Sequence, residues 1–472
     1  MLTPLQDSDR RHLLHPFTDH TSMHKAGTHV AVRGEGCWLI DSNGRRLLDG
    51  LAGLWCMNVG YGRAEIVDAV TKQMQELAYY PSFFNTTTTP TIQLAEKLAT
   101  LAPKNLNHTI FCGSGSEAND TAIKLCWAYW KLRGQPKKRK LISRSFSYHG
   151  VTVATTSLTG LPSCTTPFDL PLDGFVQVPG PYAYGAWLVG ATPASPASGG
   201  QAGSPIAGDA GVAPTKIDHA AYGEWCLAET RRIIEAEGPE TIAAMFVEPV
   251  QGAGGVIVPP DGYLKKLRAM AREFDILFVA DEVITGFGRL GAWFASELYE
   301  LDPDLISIAK GLTSGYLPLG GSIVSDAMVD VLNTGGYLAH GYTYSGHPTA
   351  CAAALANLAI LENENLIPRT RDDTGPYFQK KLRELAGHHA VGEVRGEKLI
   401  GAIELLPSGG RAELAKTPNT LGAKAAAIAR EEGVIVRGIR DLIAISPPLT
   451  ISHAEIDTLF AGVKRTLDRL FV

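Results

Sequence analysis

Three features of the chain carry residue types suited to chemistry rather than packing. Residues 111–120 read FCGSGSEAND, with the apolar run HTIF entering a glycine-rich turn and the amphipathic segment TAIKLCWAYWKLRG leaving it. That order predicts a strand, a tight turn and a helix. The N–H groups of such a turn and of the helix start together form an anion site, usually for phosphate. The spacing Gly113-x-Gly115-x-x-Ala118 also fits the glycine fingerprint of a dinucleotide site in its Gly/Ala form. Asp281 and Lys310 each close an otherwise apolar run, ILFVADEV and LISIAKG. In open α/β sheets ligands gather at the carboxyl ends of the strands, which is where both residues would stand. Taken singly, each feature has a plain alternative. Gly-Ser turns often precede helices, and a charge at a strand end often marks the chain surfacing.

Together the three are more specific. A phosphate site, a carboxylate and a lysine are what pyridoxal 5′-phosphate requires. The lysine amine condenses with the cofactor aldehyde. The carboxylate keeps the pyridine nitrogen protonated, so that the ring can draw in carbanion charge. A dinucleotide would instead want an acidic residue about 20 positions beyond the turn, to bind the ribose hydroxyl. The chain there reads KLRGQPKKRK, with no acidic residue. Its basic residues would suit a 2′-phosphate, so an NADP-dependent oxidoreductase stands as a second reading.

The elements that must position these residues are legible as runs. LISR (141–144), AAMFVEPV (243–250), ILFVADEV (276–283), LISIAKG (305–311) and GSIVSD (321–326) are continuously apolar rather than alternating. Strands buried on both faces read this way, which predicts an α/β fold with a mostly parallel sheet covered by helices. Near the start, CWLIDSNGRRLLDG places two apolar runs around Asn43-Gly44, a hairpin signal. After about residue 346 the chain turns helical through PTACAAALANLAILENEN and then mixed to Val472, as a smaller second domain would. The expected division is a segment 1–75 that joins the small domain, a large domain over 76–345, and the C-terminal small domain over 346–472. Residues 191–214 are almost wholly Ala, Gly, Ser and Pro, the composition of a flexible surface insertion.

The bulk composition narrows the function classes. A chain of 472 residues with 45% hydrophobic and 19% charged residues suits a soluble protein of two or three domains. A net charge of −5 favours no polyanionic partner, and the one dense basic run, KKRK at 137–140, reads as a solvated loop, so nucleic-acid binding is not expected. Seven scattered cysteines with no CxxC pair suggest reduced thiols in the cytoplasm. The start of the chain lacks the apolar core of a signal peptide, and CAAALANLAIL is only about half a membrane span. His15, His20 and His24 are closely spaced, but no ordered carboxylate or cysteine set accompanies them, so no metal site is expected.

Further stretches follow in order along nearly the whole chain outside 191–214. They are HPFTD, DGLAGLWCMNVGYGR, GSGSEAND, SYHG, EPVQGAGGVIVPPDGY, ADEVITGFGRLG, IAKGLTSGYLPLGG and YTYSGHP. On these residues the sequence resembles the class III pyridoxal-phosphate aminotransferases of fold type I, and specifically their ω-amino acid/amine:pyruvate branch. The resemblance implies a large domain with a mostly parallel seven-stranded sheet and a smaller α/β domain. It implies that Lys310 is the Schiff-base lysine and Asp281 the pyridinium partner. Gly115 and Ser116 would bind the phosphate, Tyr148 would stack on the ring, and Val283 would pack on the opposite face. Thr343 would reach the phosphate of a neighbouring subunit, which makes a homodimer with shared active sites, with a tetramer of two such dimers as the alternative assembly.

The implied reaction is a ping-pong transfer of an amino group from an ω-amino acid or primary amine to pyruvate. Phe17 and Trp55 match pocket walls, and Arg437 in VIVRGIRD matches a mobile arginine that binds the carboxylate of pyruvate. A decarboxylase or aminomutase would share the lysine and the carboxylate; the family match points to a transaminase. Taurine, diamine and 4-aminobutyrate donors are the neighbouring specificities. The ornithine and 4-aminobutyrate branch carries GEAG where this chain reads GAGG at 252–255, and a glutamine where Ile284 stands. Ala253 and Ile284 therefore count against those donors. Relatives more often carry a glycine at the position of Arg440, a second cation that would favour acidic substrates.

Overall fold

A computed structural model describes residues 3–188 and 218–471, so the low-complexity stretch 191–214 lies outside the described residues. The chain first forms an antiparallel meander of β1 (Ala31–Glu35), β2 (Trp38–Asp41) and β3 (Arg46–Asp49). Its second turn is the one expected at Asn43-Gly44. Gly44 takes a φ of 77°, which costs glycine nothing. The Asp41 carboxylate accepts the N–H groups of Asn43 and Arg45, both at 2.9 Å, and so fixes the turn.

Next come the strands of the central sheet: β4 (Leu106–Cys112), β5 (Lys140–Arg144), β6 (Phe175–Val178), β7 (Ile242–Val247), β8 (Leu277–Asp281), β9 (Leu305–Ile308) and β10 (Gly320–Ser325). They lie in the order β4-β10-β9-β8-β7-β5-β6. Neighbours from β5 to β9 pair in parallel, and β10 runs antiparallel to both β4 and β9. The mostly parallel sheet follows from the apolar runs. In β7 every residue is buried, and successive side chains go to opposite layers. Ala244 and Phe246 pack with Ile123, Cys126 and Trp130 of the helix Gly115–Leu132. Met245 and Val247 pack with Leu227 and Ile234 of the helix His219–Glu237 and with Leu267 of the helix Tyr263–Glu273.

After the helix Pro348–Asn363 come β11 (Val391–Glu397), β12 (Ile400–Leu405), β13 (Val434–Ile435), β14 (Arg437–Ile439) and β15 (Leu442–Ile445). Four of them form an antiparallel sheet in the order β11-β12-β15-β14. The fifth, β13, instead pairs in parallel with β3, Val434 opposite Leu48. The first sheet is thus completed by the last part of the chain.

One expectation holds only in part. In KKRK, Lys137 and Arg139 are exposed loop residues, but Lys138 is 3% exposed, with its ammonium 4.2 Å from the Trp130 ring centroid, and donates to the Asp275 carbonyl. Lys140 opens β5 and pairs with Glu237 at 2.8 Å. An ammonium that meets both the face of an aromatic ring and a carbonyl oxygen is how a lysine tolerates burial. All seven cysteines are free. Among the described residues no helix is long and apolar enough to cross a membrane, and no group of three or more His, Cys, Asp or Glu side chains could hold a metal ion. His15 is paired instead with Asp9, at 2.8 Å.

Candidate active site

The carboxyl ends of β4, β5, β7, β8 and β9 face one side of the sheet, and the chemistry-bearing residues follow them. After β4, the Ser114 hydroxyl accepts the N–H of Glu117 at 3.2 Å and caps the helix. The helix therefore starts at Gly115, earlier than the sequence reading, which began it at Thr121. Gly115 and Ser116 form its first turn, where N–H groups have no intrahelical acceptor. A side chain at position 115 has no room, because a Cβ there would lie 2.9 and 3.0 Å from the two methyls of Val283. Ser116 Oγ accepts the N–H of Val151 at 3.2 Å, which leaves its own proton to donate to a ligand. Gly150 closes the cradle, since a Cβ there would come within 2.7 Å of that oxygen.

Asp281 ends β8. Its Oδ2 accepts from Asn119 Nδ2 at 2.7 Å and meets His149 Nδ1 at 2.8 Å, while Oδ1 accepts the Val283 N–H at 3.2 Å. Asp281, Asn119 and His149 are all buried. Asn119 lies one turn along the helix from Gly115, so the carboxylate and the phosphate cradle are braced by the same element. Its amide also donates to the His149 carbonyl, at 2.8 Å.

Lys310 follows β9 with φ at 42°, left-handed backbone that costs a side-chain-bearing residue of order 1–3 kcal/mol. Burial pushes its amine below the ordinary lysine value. The neighbouring Cys56 thiol, Asp281 and Glu248 act in the opposite sense, and Arg437 adds to the depression. Lys310, Asp281, Glu248 and Arg437 thus share one electrostatic neighbourhood.

The walls come from elsewhere in the chain. Tyr148 packs in a cluster with Trp55, Val250, Ala253 and Ile284. Burial raises its phenol above the usual range. Trp55 is buried, and the Arg437 guanidinium lies 4.7 Å from its ring centroid. Burial also lowers the Arg437 pKa, and among the described residues no carboxylate pairs with it. Phe17 and Thr343 stand apart. Phe17 is 75% exposed, and the exposed Thr343 is tied by its carbonyl to Tyr79 at 2.6 Å. Within the single chain neither side chain hydrogen-bonds to the cradle or packs on Tyr148 and Trp55.

Arg440 is not a second cation beside Arg437. Its guanidinium donates to the Gly254 carbonyl at 2.7 Å and lies 5.1 Å over Phe146 and 5.8 Å over Tyr182. Left-handed backbone at position 440, with φ at 49°, turns the side chain out of the strand that carries Arg437. The argument from Arg440 to acidic substrates therefore falls.

Three further residues belong to the site. Asn119 and His149 hold Asp281. Glu248, 4% exposed, accepts the N–H of Tyr148 at 2.8 Å with Oε1 and that of Gly252 at 3.0 Å with Oε2. Burial pushes the Glu248 carboxyl up to about 7, with Asp281 adding to the rise while His149 and the two N–H donors oppose it. Glu248 follows the apolar run of β7 as Asp281 ends that of β8, so the same sequence signal could have found it. Asn119 has no such signal, because its partner is remote along the chain.

This donor set fits pyridoxal phosphate. The cradle offers N–H and hydroxyl donors for a phosphate ester, Asp281 a buried acceptor for a protonated ring nitrogen, and Lys310 an amine for an aldehyde. The family model for class-III aminotransferases matches residues 21–467. A putrescine–pyruvate aminotransferase of Pseudomonas aeruginosa is 43% identical over 464 residues, 98% of this chain and 96% of that protein. Among solved structures, an (S)-enantioselective omega-transaminase of Thermomicrobium roseum superposes with a TM-score of 0.89 at 41% identity, covering 99% of this chain and 98% of that one. The omega transaminase of Pseudomonas jessenii in complex with PMP gives 0.90 at 36% identity, covering 99% and 98%. Cradle, carboxylate and lysine, together with a family match over most of its length, make this chain a member of the class-III aminotransferases, pyridoxal-phosphate-dependent transaminases.

Proposed function

We propose that the chain moves the amino group of a primary amine or ω-amino acid, putrescine among them, to pyruvate. The observation that carries this reading is Arg437: a half-buried guanidinium over Trp55, with no carboxylate of the described residues beside it. A cation half withdrawn from water with no carboxylate beside it is under-solvated, and an anionic substrate relieves that cost. Arg437 binds the carboxylate of the keto acid. The wall of Ala253, Ile284 and Trp55 is apolar, which suits the uncharged body of an amine donor better than a second carboxylate. The identity of the relative as a putrescine–pyruvate aminotransferase supports the same pairing.

When bound, pyridoxal phosphate supplies a ring that stabilises carbanion character at the substrate carbon. Gly115 and Ser116 would hold its phosphate, Asp281 would accept from its protonated ring nitrogen, and Tyr148 and Val283 would pack on the ring. Lys310 Nζ, its pKa depressed by burial, would take the proton from the amine-bearing carbon of the donor in the first half-reaction and give a proton to the former carbonyl carbon of the keto acid in the second. Thr343 serves the phosphate of a second subunit in a homodimer, and Phe17 serves as a pocket wall. The exposure of Phe84 (86%), Phe17 (75%) and Tyr344 (66%) supports a partner that covers them. Residues 1–75 and 346–472 form one small domain beside 76–345. The pairing of β3 with β13 and the bond from Trp38 Nε1 to Glu455 at 2.8 Å support that grouping.

The test is a pair of half-reactions read by visible absorbance. An amine such as putrescine should bleach the cofactor band of the loaded protein, and pyruvate alone should then restore it. Bleaching that 2-oxoglutarate reverses and pyruvate does not would reject the acceptor.

A further inference from the structure

Arg440 sits three residues from Arg437 in the same hairpin, yet its side chain is committed to another segment. Its guanidinium donates to the Gly254 carbonyl, lies over Phe146 and Tyr182, and has no carboxylate partner among the described residues. Gly254 belongs to the pocket loop 252–255. That loop is fixed on its far side by Glu248, which holds the N–H of Gly252 together with that of Tyr148. The loop packs tightly as well. A Cβ at Gly252 would strike Ile284, and one at Gly255 would lie 3.3 Å from the Arg440 guanidinium. Ala253 of this loop shares one buried cluster with Trp55, Ile284 and Leu442, and Ile439 packs against it. One turn residue therefore joins the strand that presents Arg437 to the loop that walls the same pocket.

From this geometry we infer that Arg440 is a positioning residue for acceptor specificity, clamping loop 252–255 to the Arg437 hairpin and so setting the space in which a substrate carboxylate meets Arg437. The inference rests on the reading of Arg437 as the carboxylate-binding residue. Arg395 holds the neighbouring carbonyls of Gly255 and Val256, both at 3.0 Å, but it is paired with Glu404 at 2.6 Å and Glu393 at 3.0 Å. Arg440 is the clamp that arises from the Arg437 hairpin itself.

The experiment compares pyruvate with propanal, an acceptor without a carboxylate, in the cofactor-loaded enzyme. Arg440→Gly suits the test because glycine adopts the φ of 49° freely, so the guanidinium is lost without backbone strain. Its KM for pyruvate should rise about tenfold, while the KM for propanal changes less than about twofold. Arg440→Lys keeps a donor for the Gly254 carbonyl and should recover part of the loss. Unchanged pyruvate KM, an equal rise for both acceptors, or no recovery in Arg440→Lys would each overturn the inference. Arg437→Ala, measured alongside, separates the two claims. If it raises KM for pyruvate alone, the reading of Arg437 stands whatever Arg440 does. If it raises both equally, that reading fails and takes the clamp with it.

Discussion

At the scale of single residues, burial sets the chemistry. Lys310 has its proton weakened by a site that the ordinary lysine pKa of 10.5 does not describe. Turnover with saturating amine should therefore rise with pH to a plateau at a midpoint below that value, and Lys310→Ala should lose at least about three decades of rate. A variant with near-parental turnover would remove the assignment. Glu248 works in the opposite sense. Its folded pKa of about 7 lies above the ordinary 4.5, so across that window the unfolded chain has released a proton that the folded one keeps. The linkage slope is then negative, and stability falls as pH rises from 4.5 to 7. Glu248→Gln should flatten that part of a denaturation-against-pH curve. The same slope in both proteins would count against a buried proton on Glu248.

At the scale of elements, the helix Gly115–Leu132 carries two tasks, since its first turn forms the cradle and Asn119 braces Asp281. Gly115→Ala should push the helix off Val283 and weaken cofactor retention about tenfold, an overpacking cost of about 1–3 kcal/mol. Val283→Ala in the same chain should return much of it, a non-additivity measured by cofactor titration. Additive losses would mean that the contact does not set the cradle. Much of this arrangement was legible in the sequence, because β8 and β9 are apolar runs that end at charges, Asp281-Glu282 after one and Lys310 after the other. The exact helix start was not, since Gly-Ser composition reads as loop until Ser114 is known to cap it. His149 and Asn119 gave no signal because their partner lies across the sheet. The direction of Arg440 depends on one left-handed dihedral that no spacing reveals.

At the scale of the whole molecule, the proposed homodimer shares its sites and can be tested by complementation. Lys310→Ala homodimers should be inactive, and Thr343→Ala homodimers should hold the cofactor weakly. A mixed dimer of the two carries both lesions in one site and none in the other. It should recover about half the parental rate at limiting cofactor, an outcome that needs Thr343 to act across the interface. No recovery in purified mixed dimers would confine each site to one chain.

The parallel pairing of β3 with β13 has a consequence for biosynthesis. The N-terminal meander leaves the ribosome with the β3 edge unpaired, and the two residues that pair with it are made only after the central sheet and two of the four strands of the C-terminal sheet. A nascent chain must therefore shield that edge through nearly all of its own synthesis, paying the entropy of a loop almost as long as itself when the strand finally docks. A product cut short before Val434 leaves β3 unpaired in addition to the β1 edge, an opening that an internal nick in a surface loop would not create.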